Sequence, residues 1–368
     1  MGPGTKSASR PWPRPARLRY TVLSRMRIVK IALLVAAAGL LWFLVRYVDW
    51  SGDFAQPLEP GLVAAIRRGA HPLSTVEAAQ GAFDELRFLK PLVDGKRLVM
   101  AGEAAPGVHE FFAMKHRLFE FLVRERGFTV FALPAPYQAG LAVDRYIAGG
   151  PGEPQDALRP LGYWAWNTDE FRALIRWMRD YNREQPGRPR LKFYGFDGYI
   201  PGGSNAGREE RLAANVKWIL DREGPQSQVF LWADNAQVAH LQGRMGGHLN
   251  RLLGTRQYAI GFEFDQGDFR SRGPAGLRMH SVEPAPPGYY AQALSRVGSL
   301  VFFVDLASLR GDEMLDRWLM RPQWLRQYDD TYWFSSHFRK MNSVQGPLAD
   351  LYDALIFVEH VWPVTPAG

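Results

Sequence analysis

The chain has 368 residues, no cysteine and a formal net charge of +8. Without cysteine there are no disulfides, no thiolate metal ligands and no cysteine nucleophile. Residues 1–30 contain eight Lys and Arg and no acidic residue, so these eight charges equal the whole excess and residues 31–368 are electrically balanced. A region without net charge has no general electrostatic attraction to the phosphate backbone of nucleic acids, and we expect no nucleic-acid partner.

The N-terminal region predicts attachment to a membrane. A basic segment, residues 1–27, precedes the apolar run IALLVAAAGLLWFLV, which lies between Lys30 and Arg46. Neighbouring apolar residues extend the run to residues 28–50, which reaches the roughly 20 residues that a membrane-spanning helix needs. No small-residue cleavage site follows, which favours an uncleaved single-pass anchor over a cleaved signal peptide. The positive charge then predicts a cytoplasmic N-terminus and a periplasmic main domain at a bacterial inner membrane.

The rest of the chain is predicted to be a linker, residues 51–60, followed by one domain, residues 61–368. From residue 97 onward, apolar runs of strand length alternate with helix-like segments, whereas residues 265–298 are predicted to be an irregular surface excursion. This rhythm predicts an α/β fold with a mostly parallel sheet flanked by helices, preceded by the single transmembrane helix. The helix-like segments are 109–126, 168–184 and 208–223, and the apolar runs are RLVMAGE, FTVFALP, LKFYGFD, QVFLWAD, YAIGFEFD and SLVFFVD.

Carboxylates follow most of the predicted strands. In an open α/β sheet, ligands bind beyond the carboxyl ends of the strands, so these acids predict a cleft for a small-molecule ligand along that edge. The alternative is that each acid caps the helix that follows its strand. The second run is the exception, because it continues into Pro134. The acids are Glu103, Asp197, Asp234, Glu263 or Asp265, and Asp305.

The junction AGEAAPGVHEFF offers the first candidate catalytic groups. Glu103 is a candidate general base, or a residue that orients one, and its alternative role is to brace the loop. His109 and Glu110 begin the next helix, where the helix dipole favours an acid. Lys115 falls in the middle of the apolar face of this helix, so it either snorkels to the surface or points into a site.

Two further segments offer candidate binding groups. The segment GYWAWNTDEF contains Trp166 and Asn167, which either wall a pocket for a bulky apolar ligand or belong to the core. The segment FLWADNAQVAH places Asp234, Asn235 and Gln237 at the end of a strand, where the alternative is a purely structural loop. There is no P-loop and no H-E-x-x-H motif, so the sequence predicts neither a cofactor nor a metal.

Taken in order, these motifs resemble those of the erythromycin esterase family over residues 80–365. The resemblance implies an α/β fold. In active members it also implies hydrolysis of a macrolide lactone by water that a histidine activates, helped by glutamates and an arginine in a deep cleft. The matching stretches are AGEAAPGVHEFFAMKHRLFEFLVRERGFTVFAL, YWAWNTDEFRALIRWMRDYN, FYGFDGY, REERLAANVKWIL, VFLWADNAQVA and YAIGFEFDQGDF.

Several positions depart from the family pattern. The family loop G-E-x-x-H has Pro106 in place of its histidine, and Pro134 stands where the family commonly has an acid. Lys115 stands for the family's arginine, which keeps the charge but not the planar fork. Asp234 and Gln237 stand where the motif W-A-H-N-x-H has histidines. The positions that keep the pattern are Glu103, Glu110, Trp166, Asn167, Asp197 and Asn235.

These departures leave three hypotheses. The first is a hydrolase of ester or lactone bonds, in which Glu103 acts with Asp234 or with His109 as a displaced base. The second is a catalytically inactive relative whose cleft binds a ligand or a cell-envelope partner. The third is metal-assisted chemistry at the carboxylate rim, among Glu103, Asp197 and Asp234. Because the family's base is replaced, we expect macrolide esterase activity itself to be lost.

Overall fold

The computed structural model describes residues 28–42, 57–78, 83–200, 207–273, 276–332 and 343–366. The chain divides into two compact units, residues 1–50 and residues 51–368. Each unit is described by itself.

In the first unit, residues 28–42 form a helix, α1. Over the described ranges, no helix is both long and apolar enough to cross a membrane. The predicted span, residues 28–50, runs on into residues 43–50, which lie outside the described residues together with the basic segment 1–27 and residues 51–56 of the linker.

The second unit alternates strands with helices. Its helices are α2 Leu62–Gly69, α3 Leu89–Leu92, α4 His109–Arg126, α5 Tyr137–Ile147, α6 Pro154–Leu158, α7 Asp169–Glu184, α8 Arg208–Glu223, α9 Asn235–Val238, α10 Met245–Leu253, α11 Ala291–Leu294, α12 Glu313–Met320 and α13 Leu348–Leu351. Its strands are β1 Ala70–Pro72, β2 Leu98–Ala101, β3 Val130–Pro136, β4 Lys192–Asp197, β5 Val229–Trp232, β6 Gln257–Gly273, β7 Gly276–Val282, β8 Val301–Asp305, β9 Gln323–Arg326, β10 Ser343–Gly346 and β11 Ala354–Val361.

The main sheet is mixed. Its strand order is β1-β8-β11-β6-β2-β5-β3-β4, and β7 pairs with β6 outside this path. The run from β11 to β4 is parallel throughout, whereas β8 pairs antiparallel with both β1 and β11, and β7 pairs antiparallel with β6. Strands β9 and β10 form a separate antiparallel pair. The predicted α/β class is confirmed, and the sheet is mostly parallel only along that run.

All six apolar runs form strands, as predicted, and β2 shows why the runs are continuous. Val99 and Ala101 pack into the core on one face of the sheet, whereas Leu98 and Met100 pack into the core on the other. Helices α4, α5 and α7 contribute to the first core, and α8, α10 and α12 contribute to the second. A strand covered on both faces has no side for polar residues.

The predicted helix-like segments are confirmed as α4, α7 and α8. For α4, however, the expectation of a single apolar face is wrong, because every residue from Glu110 to Val123 is buried. The helix is enclosed by the sheet and by α7, so its polar residues must find partners inside the protein.

The predicted irregular excursion over residues 265–298 is wrong in its first half. Strand β6 continues to Gly273, and the chain returns along it through β7 to Val282. Beyond Asp265, buried and partly exposed residues alternate along β6, which is typical of a ribbon with one covered face. Gly267 lies within this strand with a φ of +126°. An added Cβ would lie 2.2 Å from the carbonyl oxygen of Val361, so this position requires glycine.

Candidate active site

A cavity of about 380 Å³ opens at the carboxyl ends of β2, β3 and β5. The segment that follows β9 closes another side of it. The cavity therefore lies along the edge at which the sequence predicted a cleft. Its lining residues are Glu103, Pro106, Pro134, Pro136, Leu161, Tyr163, Trp166, Arg208, Trp232, Asp234, Gln237, Gln327, Tyr328, Asp329 and Asp330.

A buried ion pair lies behind the cavity wall, which Glu103 itself lines. The Nζ atom of Lys115, on α4, lies 2.7 Å from Oε2 of Glu103, which follows β2. The indole Nε1 of Trp232 donates to the same carboxylate oxygen at 2.8 Å. The ammonium group also lies 4.1 Å from the centre of the Trp232 ring, close enough for a cation–π contact. Lys115 therefore points inward and does not snorkel.

The electrostatic state of Lys115 reflects two opposing effects. Removal from water lowers its pKa to about 8, because burial disfavours the charged form. The carboxylates of Glu103 and Asp234 oppose this effect by attraction. The ammonium form therefore predominates near neutrality and is lost at moderately alkaline pH.

Asp234 lies at the end of β5, beside this pair. Its Oδ1 accepts a hydrogen bond from the backbone N–H of Gln237 at 2.7 Å, so it caps α9 as the structural alternative proposed. Its side chain keeps some solvent access at the cavity but is surrounded by protein, and burial raises its pKa to about 7. The carboxylates of Glu103, Asp329 and Glu209 also raise this pKa by repulsion. Asp234 can therefore exchange a proton near neutral pH.

Two glutamine amides line the cavity without protein partners. Gln237 and Gln327 are 5% and 8% exposed, and neither side chain makes a hydrogen bond to any residue in the described ranges. Buried amides are usually paired, so both are available to a ligand. Gln237 was predicted from the sequence as a binding residue, whereas Gln327 was not.

The segment that carries Gln327 was missed as a whole. Tyr328, Asp329 and Asp330 also line the cavity, and Asp330 accepts a hydrogen bond from the indole of Trp164. The only local signal was two adjacent acids after an aromatic residue. Such a pattern is common on protein surfaces and does not by itself indicate a site.

Aromatic side chains form one wall of the cavity. Trp166 packs edge-on against Tyr163, with their ring centres 4.8 Å apart, and both line the cavity. Burial raises the pKa of Tyr163 far above its usual range, so its hydroxyl stays protonated. Asn167, the neighbour of Trp166, is exposed and does not line the cavity.

His109 lies away from the cavity. Its Nδ1 is 2.9 Å from Oε1 of Glu170 and its Nε2 is 2.8 Å from Oε1 of Glu77. The Glu170 contact is the main reason that its pKa rises to about 9. A doubly bonded, protonated imidazole is not a general base, and the structure does not bring this side chain to Glu103. Glu110 is likewise committed, since its Oε2 accepts from the backbone N–H of Trp362 at 2.8 Å.

Asn235 and Asp197 have structural partners. The side chain of Asn235 donates to the carbonyl of Phe262 at 2.6 Å and accepts from the N–H of the same residue at 3.0 Å. It thereby ties the end of β5 to β6. Asp197 binds Arg208 at 3.2 Å and is not part of the cavity lining. Arg208 does line the cavity.

Prolines occupy two positions at the cavity wall. Pro106 and Pro134 both line it, and neither side chain can transfer a proton. Among the lining residues that the structure describes there is no histidine. His337 lies outside the described ranges.

The carboxylate rim does not form a metal cluster in the part of the chain that the structure describes. No group of three or more His, Cys, Asp or Glu there has the spacing to hold a metal ion. Glu103 and Asp197 are each paired with a basic residue instead.

A comparison with known protein families identifies the family of this chain. The sequence model described as erythromycin esterase matches residues 123–207 and 200–361. The chain belongs to the erythromycin esterase family. The matched region begins after Glu103 and Lys115, so the roles of these two residues rest on the loop motif and on the geometry described above.

The similar proteins have low sequence identity to this chain. Erythromycin esterase type II of Escherichia coli is 28% identical over 122 residues, which is 33% of this chain and 28% of that protein. The alignment therefore spans little more than a quarter of that relative. The fold matches a Bacillus cereus protein of known structure with a TM-score of 0.72 and 19% identity, over 83% of this chain and 98% of that one. It also matches a mutant of the erythromycin esterase EreC in its open conformation, with a TM-score of 0.59 and 15% identity, over 81% and 99% of the two chains.

Proposed function

We propose that the protein hydrolyses an ester or lactone bond in this cavity, with a carboxylate in place of the family's histidine. The observation that carries the proposal is the placement of Asp234, with a pKa of about 7, beside the buried pair of Glu103 and Lys115. Two carboxyl groups in one cavity with different environments are typical of sites that transfer protons.

In the proposed reaction, ionised Asp234 takes a proton from a water molecule, and the resulting hydroxide attacks the carbonyl carbon of the substrate. The side-chain amides of Gln237 and Gln327 donate hydrogen bonds to the oxyanion that forms. Asp234 then returns its proton to the leaving alkoxide as the C–O bond breaks. The products are an acid and an alcohol.

Glu103 and Lys115 act in this proposal as positioning residues. The salt bridge and the Trp232 contact hold the loop after β2 against the end of β5, where Asp234 lies. The positive charge of Lys115 also favours the ionised form of Asp234, since it attracts that carboxylate.

The test is hydrolysis of a panel of macrolides and simple aryl esters by the full-length protein in mild detergent, followed by mass spectrometry for addition of water. We expect turnover of at least one ester, and we expect Asp234→Asn to lower kcat/KM by about 10²- to 10⁴-fold. Asp305→Asn is a control, because Asp305 is another carboxylate at a strand end, and neither it nor its partners Tyr258 and Ser308 line the cavity. Absence of turnover by the folded wild-type protein, or equal loss in both variants, would refute the proposal.

A second candidate is a cleft that binds a ligand without turning it over. The presence of Pro106 at the position of the family's base favours it, because proline neither transfers a proton nor donates an N–H. If the cleft only binds its ligand, a macrolide or an ester would raise the melting temperature of the protein and would not be hydrolysed. The rise would be absent in a variant that fills the cavity, such as Gln327→Trp.

We also propose that the domain is exported and anchored in the bacterial inner membrane with its N-terminus in the cytoplasm. The basic residues before the apolar run support this orientation. Protease added to spheroplasts should then degrade the main domain without lysis. Protection of the domain, or its recovery in the soluble fraction of lysed cells, would contradict the proposal.

A further inference from the structure

The charges that line the candidate active site bear on the kind of substrate it takes. The only basic lining residue within the described ranges is Arg208. Its charge is offset by Asp197 at 3.2 Å and by Glu209 at 3.4 Å, neither of which lines the cavity. A cleft with an excess of carboxylates concentrates cations. The acidic lining residues are Glu103, Asp234, Asp329 and Asp330.

Three of these acids already have a partner or a role. Glu103 is paired with Lys115, and Asp234 is the proposed base. Asp330 accepts a hydrogen bond from an indole and lies 3.7 Å from a guanidinium nitrogen of Arg272. None of the three is therefore the first choice as a contact for a charged group of the substrate.

The carboxylate of Asp329 is not engaged in this way. It is exposed at the cavity and forms no hydrogen bond or ion pair with any residue in the described ranges. Desolvation by the surrounding protein raises its pKa, and repulsion from Asp330 adds to this effect, whereas Arg244 opposes it by attraction without forming an ion pair. A cation bound beside Asp329 would favour its ionised form.

Aromatic side chains determine which kind of cation fits. The face of an aromatic ring attracts a cation within about 6 Å, and quaternary ammonium groups are commonly recognised in this way. Metal ions prefer oxygen ligands and retain water, so an aromatic lining favours an organic cation. The aromatic residues that line the cavity are Tyr163, Trp166, Trp232 and Tyr328.

The size and the unpaired polar groups of the cavity limit the ligand further. Its volume of about 380 Å³ is near the lower end of the roughly 300–1,000 Å³ that is typical of pockets for small molecules. Gln237 lines it, is 5% exposed and has no partner in the described structure, which indicates that a polar group of a ligand binds there. The lining therefore fits a compact molecule that carries both a polar carbonyl and a cation.

We propose that the substrate is a compact ester that carries an ammonium group. Asp329 and the aromatic wall hold the ammonium group, while the ester carbonyl lies at Asp234. The inference rests on the proposed hydrolysis and does not change its steps. One water molecule is consumed, the C–O bond of the ester breaks, and the ammonium group stays on the acid or the alcohol that is released.

The experiment compares acetylcholine with 3,3-dimethylbutyl acetate, which has the same shape but a neutral carbon in place of the charged nitrogen. The full-length protein in a non-ionic detergent is assayed with each ester by release of acetic acid. We expect kcat/KM for acetylcholine to exceed that for the neutral ester about tenfold or more, which corresponds to one well-placed cation–π contact together with a charge contact. The ratio should fall as salt is added, because salt screens the attraction.

The variants test whether Asp329 is the charged contact. Asp329→Asn should lower the ratio about threefold, within the range measured for exposed charge pairs. Asp329→Glu keeps the charge and should keep most of the preference. Both esters use the same base, so the ratio cancels any change in the pKa of Asp234. The control is Asp350→Asn, because Asp350 is also exposed and unpaired in the described structure but lies outside the cavity.

The outcomes separate this inference from the proposed hydrolysis. Equal kcat/KM for the two esters, or a preference that Asp329→Asn leaves unchanged, would overturn the inference and leave the hydrolysis in place. If the folded protein hydrolyses neither ester, calorimetric binding decides the inference by itself. Tighter binding of acetylcholine than of the neutral ester, weakened in Asp329→Asn, would then support it, whereas equal or absent binding would refute it.

Discussion

The ammonium group of Lys115 lies 2.7 Å from the carboxylate of Glu103, and the two residues are 0% and 8% exposed. They come from elements that are adjacent in the chain, the loop after β2 and helix α4. Trp232, more than a hundred residues later, completes the arrangement by donating to the same carboxylate oxygen. Each charge in this pair depends on the other, because neither has enough water to solvate it.

The first prediction concerns this pair and stability. We expect Lys115→Met to lower the free energy of unfolding by about 3–5 kcal/mol, since it leaves the Glu103 carboxylate buried without its cation. The double variant Lys115→Met/Glu103→Gln should be less destabilised than Lys115→Met, because no uncompensated charge remains. Urea denaturation followed by fluorescence measures both. Lys217→Met is the control, because Lys217 forms an exposed pair with Asp221 and should change stability by less than about 1 kcal/mol.

The second prediction concerns the pH dependence of ester hydrolysis. Asp234, with a pKa of about 7, must be ionised to act as the base, so kcat/KM should rise with pH up to about 7. Lys115, with a pKa of about 8, must stay protonated to hold the site, so kcat/KM should fall above about 8. A narrow bell-shaped profile with its maximum between these values is therefore expected.

Stopped-flow or steady-state assays from pH 5 to 10 on a neutral aryl ester would check the profile. Lys115→Arg serves as the matched variant, because an arginine cannot be deprotonated in this range. It should remove the alkaline limb and leave the acid limb in place. A profile without an acid limb near neutrality would exclude Asp234 as the base.

The third prediction concerns His109 and stability at alkaline pH. Its pKa is raised from 6.5 to about 9 in the folded protein by Glu170 and Glu77. The protonated form therefore binds more tightly in the folded state, and this stabilisation is complete below pH 6.5 and is lost as the pH rises through about 9. Because the side chain is about one-third exposed, solvent screening limits the effect to about 1 kcal/mol.

Urea denaturation at pH 6, 8 and 10 would measure this loss. His109→Gln keeps a polar side chain without the charge, and its stability should be less dependent on pH over the same range. An equal decline in wild type and variant would show that other groups cause the alkaline loss.

The fourth prediction concerns the contribution of the Asn235 side chain to the stability of the fold. Asn235→Ala should lower the free energy of unfolding by about 2–4 kcal/mol, since it leaves the buried N–H and carbonyl of Phe262 without partners. Asn167→Ala should change stability by less than about 0.5 kcal/mol, because Asn167 is exposed. Thermal and urea unfolding of the two variants side by side would test this. Equal free energies of unfolding for the two variants would mean that water replaces the hydrogen bonds between Asn235 and Phe262.

The strands were predictable because their signal is local. A strand that is covered on both faces must be apolar at every position, so β2, β5 and β8 are visible as short runs in the sequence. The continuation of β6 was missed because Gly267 and Asp268 look like turn residues. The close approach of β11, which was itself overlooked, is what requires glycine there.

The candidate site was only partly predictable. Acids at strand ends pointed to the edge at which the cavity opens, and Glu103, Asp234, Trp166 and Gln237 line it. The prediction was wrong for Asp305, which lies at the opposite edge because β8 runs antiparallel to β11. His109 and Glu110 were candidates by their nearness in sequence to Glu103. The first turn of α4 carries them instead to carboxylates and backbone groups outside the cavity.

The segment from Gln327 to Asp330 shows why the spacing of residues in the sequence could not predict every residue of the candidate site. It reaches the cavity because β9 is held at the side of the main sheet, where Arg326 donates from its backbone to the buried Glu263 and from its guanidinium to the carbonyl of Asp265. These contacts join residues about sixty positions apart, and no local pattern encodes them.

The amino-acid sequence by itself determined the α/β class, the main strands and helices and the family, and it predicted the edge of the sheet at which the cavity opens. These properties follow from hydrophobic periodicity and from motifs within a few consecutive residues. Only the tertiary structure decided that Lys115 turns inward onto Glu103, that His109 is engaged elsewhere, and that Gln327 joins Asp234 in one cavity. The physical reason is that burial and charge pairing depend on neighbours brought together from distant parts of the chain, and these set the protonation state of each group.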